Sequence, residues 1–285
     1  MILAGGISSR MKTSIARNVR HDRRIREEAS VKSKSMIAVG EGNRPFLDYL
    51  LYDAKKADYV DILIVVSERD SSIQEHYGKQ KRENMFNGLR ISYAVQMIPT
   101  GRAKPLGTAD AVLQGLKTRR DWEGLKFTVC NSDNLYSMHA FRLLLEDNHP
   151  NAMIDYDRRA LQFSQERIAQ FSVTRKDKEN YLVDIIEKPG EEEIASVTSK
   201  DGYVGVSMNI FRLDYDMVYP FIENAPMHPT RHEKELPTAL KMMIDQHPRS
   251  LYAYPLAEHV PDMTSIDDVA GVSKLLAKEF KDLMW

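Results

Sequence analysis

The stretch Met1-Ile-Leu-Ala-Gly5-Gly6-Ile-Ser-Ser-Arg10-Met11 runs an apolar strand straight into a glycine pair, two small hydroxyl residues and an arginine. Paired glycines let a backbone approach a ligand closely, because no Cβ stands in the way. Backbone N–H groups in such a turn, with a guanidinium fork behind them, suit a polyphosphate. A glycine pair alone equally fits an ordinary tight turn, so the rest of the chain decides. Residues 60–66, 89–95 and 125–130 read as strands, and 46–57, 109–118 and 138–146 as helices. This alternation predicts βαβ crossovers and an α/β, Rossmann-like fold with a mixed, mostly parallel sheet flanked by helices. Ligands of such sheets bind beyond the carboxyl ends of the strands. The Gly5-Gly6 turn and the turn Asn131-Ser132-Asp133-Asn134 both fall there.

The second half is richer in strands. Residues 151–156, 168–174, 181–187 and 204–213 are strand candidates, followed by helices at 214–223 and 233–246. A last strand is expected at 251–255 and a closing amphipathic helix at 265–280, with a hairpin turn at 176–180. No repeat or low-complexity linker interrupts the chain. It reads as one α/β domain over residues 1–285, with halves 1–150 and 151–285, the second a β-rich substrate-binding portion.

Bulk properties narrow the function classes. The 285 residues are 28% charged and 42% hydrophobic with a net charge of −1, ordinary for a globular chain and without a global field for nucleic acid or membrane. The single cysteine, Cys130, excludes an internal disulfide and sits in an apolar run that predicts a buried thiol. No apolar stretch approaches the ~20 residues that span a bilayer, and no signal-peptide pattern opens the chain. The expected location is the cytoplasm. Between Met11 and Lys34 lie Lys12, Arg17, Arg20, Arg23, Arg24, Arg26 and Lys32 with little apolar periodicity, which fits a basic flap over phosphates or a solvated loop.

Further motifs carry chemistry. Lys34 precedes an apolar run through Val39, read as a short strand, and would set an ammonium near phosphates. Gln96 ends a strand and offers donor and acceptor to a base edge. Gly107-Thr108 opens a helix, where free N–H groups hold an anion or base edge and a threonine cap is the plain alternative. Asp133 at a strand end suits Mg²⁺, which binds through one or two carboxylates plus phosphates, or else caps the next helix. Glu187-Lys188-Pro189 pairs a carboxylate for sugar hydroxyls with a cation for a phosphate, or forms a surface ion pair. Asp262 gives a second acidic candidate for a metal, with Thr264 or Ser265 as an ordinary helix cap.

Taken in order, LAGGISSRM, KSMIAV, the Gln96 segment ending PLGTADAV, NSDN, EKP, VSMNIF, EKELPTAL and PDMTSIDD resemble the sugar-1-phosphate nucleotidylyltransferases, the glucose-1-phosphate thymidylyltransferase and uridylyltransferase group. The resemblance covers residue 1 to about residue 270. It implies a nucleotide-diphospho-sugar transferase fold and a Mg²⁺-dependent reaction of a nucleoside triphosphate with a sugar 1-phosphate. By that resemblance Leu3, Ala4, Gly5, Gly6, Gln96, Gly107 and Thr108 would bind nucleotide, and Arg10, Lys34 and Lys188 would serve catalysis. Glu187 and Asn209 would line the sugar pocket, and Asp133 and Asp262 would bind the metal. The nucleotide half is then 1–150 and the sugar-binding, closing half 151–285. No nucleic-acid or membrane partner is expected, and a homo-oligomer is left open.

Departures from the family pattern accompany this. Ser8 stands for a third glycine, Asn131-Ser132 precede the aspartate, and Thr264 replaces a glycine after Asp262, which also lacks the preceding tryptophan. Asn209 lies where a glycine is common, and the loop from Arg10 to Lys34 is long. The glycine turn follows Met1 so closely that a natural start upstream is expected. Competing expectations are nucleotidyl transfer to a non-sugar phosphate such as phosphocholine, and a catalytically silent, nucleotide-sugar-binding regulatory homologue. Retention of Asp133 and Lys34 speaks against silence.

Overall fold

The computed structural model describes residues 1–6, 11, 27–28, 32–281, 283 and 285. In chain order the first elements are β1 (Ile2–Ala4), α1 (Phe46–Lys56), β2 (Asp61–Ser67), α2 (Ser72–Tyr77), β3 (Asn84–Phe86) and β4 (Leu89–Gln96). Then come α3 (Thr108–Thr118), β5 (Lys126–Asn131), α4 (Met138–Leu145), β6 (Asn151–Asp157), α5 (Gln165–Ile168), β7 (Val173–Lys176) and β8 (Leu182–Ile186). The last are α6 (Glu191–Val197), β9 (Gly205–Asp214), α7 (Tyr215–Glu223), α8 (Leu236–Gln246), β10 (Leu251–Leu256) and α9 (Asp268–Glu279). They group into two compact units. Unit one holds Met1–Leu106, Asn131–Met138 and Pro261–Trp285; unit two holds Gly107–Cys130 and His139–Val260.

In unit one β1 pairs in parallel with β2, and β2 with β4, so that Ala4 faces Val66 and Val66 faces Val95. The short β3 closes the edge in antiparallel sense. The run Ile62-Leu-Ile-Val-Val66 is buried throughout, as for a strand covered on both faces. Helix α1 turns Phe46, Leu47, Leu50, Leu51 and Ala54 into the core at helical spacing, while Lys55 and Lys56 occupy the last turn, where the helix dipole favours cations.

In unit two β10 runs parallel to β6, and β9 lies antiparallel to both β6 and β5. Strand β7 joins β9 and forms a hairpin with β8 through the turn expected at 176–180, where the Asp177 carboxylate accepts the Glu179 and Tyr181 N–H groups. The fold is the expected α/β mixed sheet with flanking helices. Unit one is parallel apart from β3, and the antiparallel pairs concentrate in unit two. Cys130 is buried, which pushes its thiol up to about 12. Among the described residues no helix is long and apolar enough to cross a membrane.

Two local expectations are corrected, and three short elements were not expected. The strand expected at 168–174 begins only at Val173, because Ser164 accepts the Arg167 N–H and starts the short helix α5 in its place. The run after Lys34 is not a strand: Lys34–Met36 form a single 3₁₀ turn, and only Ala38 makes a β-bridge, to Pro45. Helices α2 and α6 and strand β3 are too short for their periodicity to register in the sequence.

His259 gives unit two an acid-sensitive point. Its Nδ1 accepts the Gln162 N–H at 3.1 Å, and burial, aided by the Arg167 charge, lowers its pKa from 6.5 to about 4. A histidine depressed in the folded state favours folding fully above its unfolded pKa and loses that contribution as pH falls between the two values. Unfolding free energy should therefore decline from pH 6.5 towards about 4. His259→Gln should flatten that slope in urea titrations at several pH values, and an unchanged slope would refute the assignment.

Candidate active site

The carboxyl ends of the unit-one strands bring the glycine turn and Gln96 together. Ser67 faces Gln96 across the β2–β4 ladder, and Gly5 extends β1 by one residue into the same row. A Cβ on Gly5 would stand 2.6 Å from Gln96 Oε1, so glycine is required for the buried amide to lie against the turn. At Gly6 a Cβ would meet nothing, which leaves open space over the turn. Leu3 and Ala4 are the strand residues beneath, and Arg10 lies outside the described residues. So do Ser8 and most of the basic segment.

Beside this edge Lys34 Nζ donates to Asp133 Oδ2 at 2.9 Å, across 99 positions of sequence, with both side chains partly open to solvent. Two acids hold the lysine's turn in place. Asp70 accepts the Ser33 N–H at 2.6 Å and the Ser72 N–H at 2.9 Å, and Glu28 accepts the Ala38 N–H at 3.0 Å. Neither acid is announced by a local motif. Asp133 is positioned by backbone: the Ser132 N–H donates to Leu3 O, the Met263 N–H to Asp133 O, and Asn134 forms an antiparallel bridge with Asp262. The two aspartate segments thus run side by side. Asp262 Oδ1 accepts the Thr264 hydroxyl at 2.5 Å, so Thr264 orients this carboxylate and is not a helix cap.

The side chains available are oxygen donors, the kind a hard divalent cation takes. Among the described residues no group of three or more acidic, histidine or cysteine side chains could cage a metal. Asp133 and Asp262 lie on adjacent backbone segments, and one or two carboxylates suffice for a hard cation when phosphates and waters complete its shell.

Unit two gathers the other candidates. Gly107 has φ of +109°, and a Cβ there would lie 2.5 Å from Lys234 O, so only glycine lets helix α3 start against that backbone. Lys234 O accepts the Ala109 N–H, and Thr108 Oγ1 accepts the Leu236 N–H at 2.9 Å. Thr108 therefore ties α3 to α8 instead of capping its own helix. The same 231–236 segment reaches Glu187: Arg231 pairs with the Glu187 carboxylate and, at 2.7 Å, with Glu235. Burial, with the Glu187 charge behind it, raises the Glu235 pKa.

Lys188 has φ of +48° although it is not glycine and precedes Pro189, a conformation that costs free energy and that clusters at functional positions. Asn209 has φ of +58° on a β-bulge where Ile154 of β6 lies opposite Met208, Asn209 and Ile210 of β9. Asparagine tolerates this left-handed backbone better than most residues, which explains how it stands where a glycine is common. Below the bulge, fully buried Asp155 accepts hydrogen bonds from Thr174 at 2.6 Å and Tyr203 at 2.8 Å and pairs with Lys176. A Cβ on Gly205 would stand 2.1 Å from Asp155 Oδ1.

Sequence reading missed Arg231 and Asp155. Arg231 meets a carboxylate 44 positions away, and no local signal announces such a pair. The only hint for Asp155 was an acid inside an otherwise apolar strand.

Known proteins resemble this chain in sequence and in fold. The sequence pattern of the nucleotidyl transferase family matches residues 24–271, so the Gly5-Gly6 turn lies ahead of the matched region. Glucose-1-phosphate adenylyltransferase 1 of Vibrio vulnificus (strain YJ016) is 25% identical over 234 residues, which are 82% of this chain and 53% of that protein. The corresponding protein of Corynebacterium jeikeium is 24% identical over 160 residues, covering 56% and 39%. The chain spans about half the length of the curated relatives it matches. Among solved structures, the UTP-bound UGPase of Acinetobacter baumannii aligns with a TM-score of 0.70 at 16% identity, covering 99% of this chain and 94% of that one. A UDP-glucose pyrophosphorylase complexed with UDP-glucose aligns at 0.67, also with 16% identity, covering 98% and 97%. These two share the fold. With the family pattern matched over most of its length, the chain belongs to the nucleotidyl transferase family.

Proposed function

We propose that this chain transfers a nucleotidyl group from a nucleoside triphosphate to a sugar 1-phosphate, releasing pyrophosphate. A phosphate oxygen of the sugar 1-phosphate attacks the α-phosphorus in line. The bond from that phosphorus to the oxygen bridging to the β-phosphate breaks, and pyrophosphate leaves with the electron pair. No protein nucleophile is needed, so catalysis is positioning and charge stabilisation. The observation that carries this reading is the Lys34–Asp133 pair at 2.9 Å, beside the strand ends where Gly5 and Gln96 meet.

Each residue then has a task. The Gly5-Gly6 backbone accepts the close approach of the triphosphate, with Arg10 behind it as the family resemblance implies. Gln96 faces the base, and Gly107 and Thr108 bind nucleotide as the family resemblance implies. Lys34 meets phosphate charge, and Lys188 meets the sugar phosphate. Glu187 accepts sugar hydroxyls, with Arg231 holding its carboxylate in place, and Asn209 lines the sugar pocket as the family resemblance implies. Asp133 and Asp262 would hold a divalent cation, Mg²⁺ as the family resemblance implies. When bound, that ion neutralises charge on the phosphates.

The test is pyrophosphate release with Mg²⁺ over a grid of nucleoside triphosphates and sugar 1-phosphates. Release confined to particular pairs supports the proposal and names base and sugar. Silence across the sugar grid with release on a non-sugar phosphate acceptor would overturn the sugar assignment, and silence with every acceptor would overturn the activity. Lys188→Ala should raise KM for the sugar 1-phosphate roughly tenfold, the worth of one charge-assisted contact, with little change for the triphosphate. Equal losses for both substrates would remove Lys188 from the acceptor site.

A further inference from the structure

Unit one contains a cavity whose lining includes neither Lys34 nor Asp133. It has a volume of about 350 Å³, and its walls come from residues 39–49 and from helix α9 and the residues after it. Val39, Leu276, Ala277, Phe280 and Leu283 provide the apolar part of the wall, and Arg44, Lys281, Glu41, Tyr49 and Ser273 the polar part. Nothing in the proposed reaction uses these residues.

The polar groups suit an anion. Arg44 is held only loosely by the protein, with its Nη1 3.4 Å from Leu283 O and its Nε 4.0 Å from Asp48 Oδ2. Among the described residues Lys281 pairs with no carboxylate. With Glu41 as the single acid in the wall, the lining carries one net positive charge. Tyr49 is the second, independent observation. The residue is 4% exposed and lines the cavity, and its hydroxyl makes no hydrogen bond among the described residues, so it is open to the cavity and available to donate. The hydroxyl lies where a Cβ on Gly40 would be only 1.7 Å away, so glycine at 40 makes room for it at the cavity wall. Burial raises the Tyr49 pKa, which keeps the group protonated and able to donate. Phe280 packs edge-on against the Tyr49 ring at 5.0 Å and gives an apolar body an aromatic surface to lie on.

We propose that this cavity binds a small organic anion. Its acid group is taken by Arg44, Lys281 and the Tyr49 hydroxyl, and its apolar or aromatic body lies on Phe280, Leu276 and Val39. The site has a route to the reaction centre, because the wall residues 39–44 continue directly from the turn that carries Lys34. Ala38 and Pro45 are bridged, and the Val39 and Gly40 N–H groups both donate to Arg44 O, so the loop between Lys34 and the cavity is one hydrogen-bonded piece. Occupancy at Arg44 would therefore bear on Lys34. Binding itself does not depend on the proposed activity.

The probe is 4-(trifluoromethyl)benzoate, followed by fluorine NMR line shape during titration of the whole chain, with 4-(trifluoromethyl)benzyl alcohol as the neutral control. Saturable binding of the acid, several-fold tighter than the alcohol, is expected. Ala277→Trp, at an exposed wall position, should fill the cavity and abolish it. Arg44→Met and, at the exposed surface, Lys281→Glu should each weaken it roughly tenfold, as removal of a charge-assisted contact does. Circular dichroism of the three variants controls for folding, and Lys281→Glu keeps the test decisive if a wall variant misfolds. Equal affinity for acid and alcohol, undiminished binding to Ala277→Trp, or no binding at millimolar probe would each overturn the proposal. The result stands or falls separately from pyrophosphate release.

Discussion

Asp133→Asn should lower turnover by at least ~100-fold, about 2.7 kcal/mol of lost transition-state stabilisation, while thermal unfolding stays at the wild-type temperature. The asymmetry follows from the site. An asparagine can still accept the Lys34 ammonium, so the 2.9 Å contact and the backbone bonds from Met263 and Ser132 remain. What disappears is one negative charge at the place assigned to the cation and the triphosphate. Asp133 is partly open to solvent, so its packing contribution is small and a purely structural role predicts little change in rate. Pyrophosphate release measured against Mg²⁺ concentration separates the cases. A loss that high Mg²⁺ partly restores marks a metal ligand, whereas a rate within about threefold of wild type would remove Asp133 from the chemistry.

Asp155→Ala should destabilise the protein by about 3–5 kcal/mol, the cost of breaking a buried ion pair from one side. The carboxylate has no exposed surface and satisfies Thr174, Tyr203 and Lys176 together. Its removal leaves an ammonium and two hydroxyls without their acceptor in the layer beneath the β9 bulge. Tyr203, already pushed to a high pKa by burial and by the Asp155 charge, would keep only its bond to the Asp155 carbonyl. Urea unfolding gives the number directly, and a change below about 1 kcal/mol would show that water replaces the carboxylate at little cost. Asp155→Asn should fall between, since the amide keeps an acceptor but loses the charge.

Much of the fold was legible in the residues. The run Ile62–Val66 announces a strand buried on both faces, and the spacing of Phe46, Leu50, Leu51 and Ala54 announces a helix with one apolar face. These are local periodicities, set by 3.6 and 2 residues per repeat, and they survive without tertiary context. Where a local signal had a competitor the reading slipped. At 168–174 a serine cap drew the backbone into α5, and after Lys34 a 3₁₀ turn took the place of a strand.

Motif order in the sequence was enough to name the nucleotidyl transferase family and to nominate Lys34, Asp133, Glu187 and Lys188. It could not say what those side chains touch. That Lys34 meets Asp133 across 99 positions, that Arg231 occupies Glu187, and that Asp155 gathers three partners depends on register between strands. Nor does the sequence show that Lys188 and Asn209 take left-handed backbone, or that Gly5 and Gly107 are pressed against Gln96 and Lys234. Periodicity is written in neighbouring residues, whereas a hydrogen bond or a forbidden Cβ is decided by which distant segment packs alongside, and only the tertiary structure sets that.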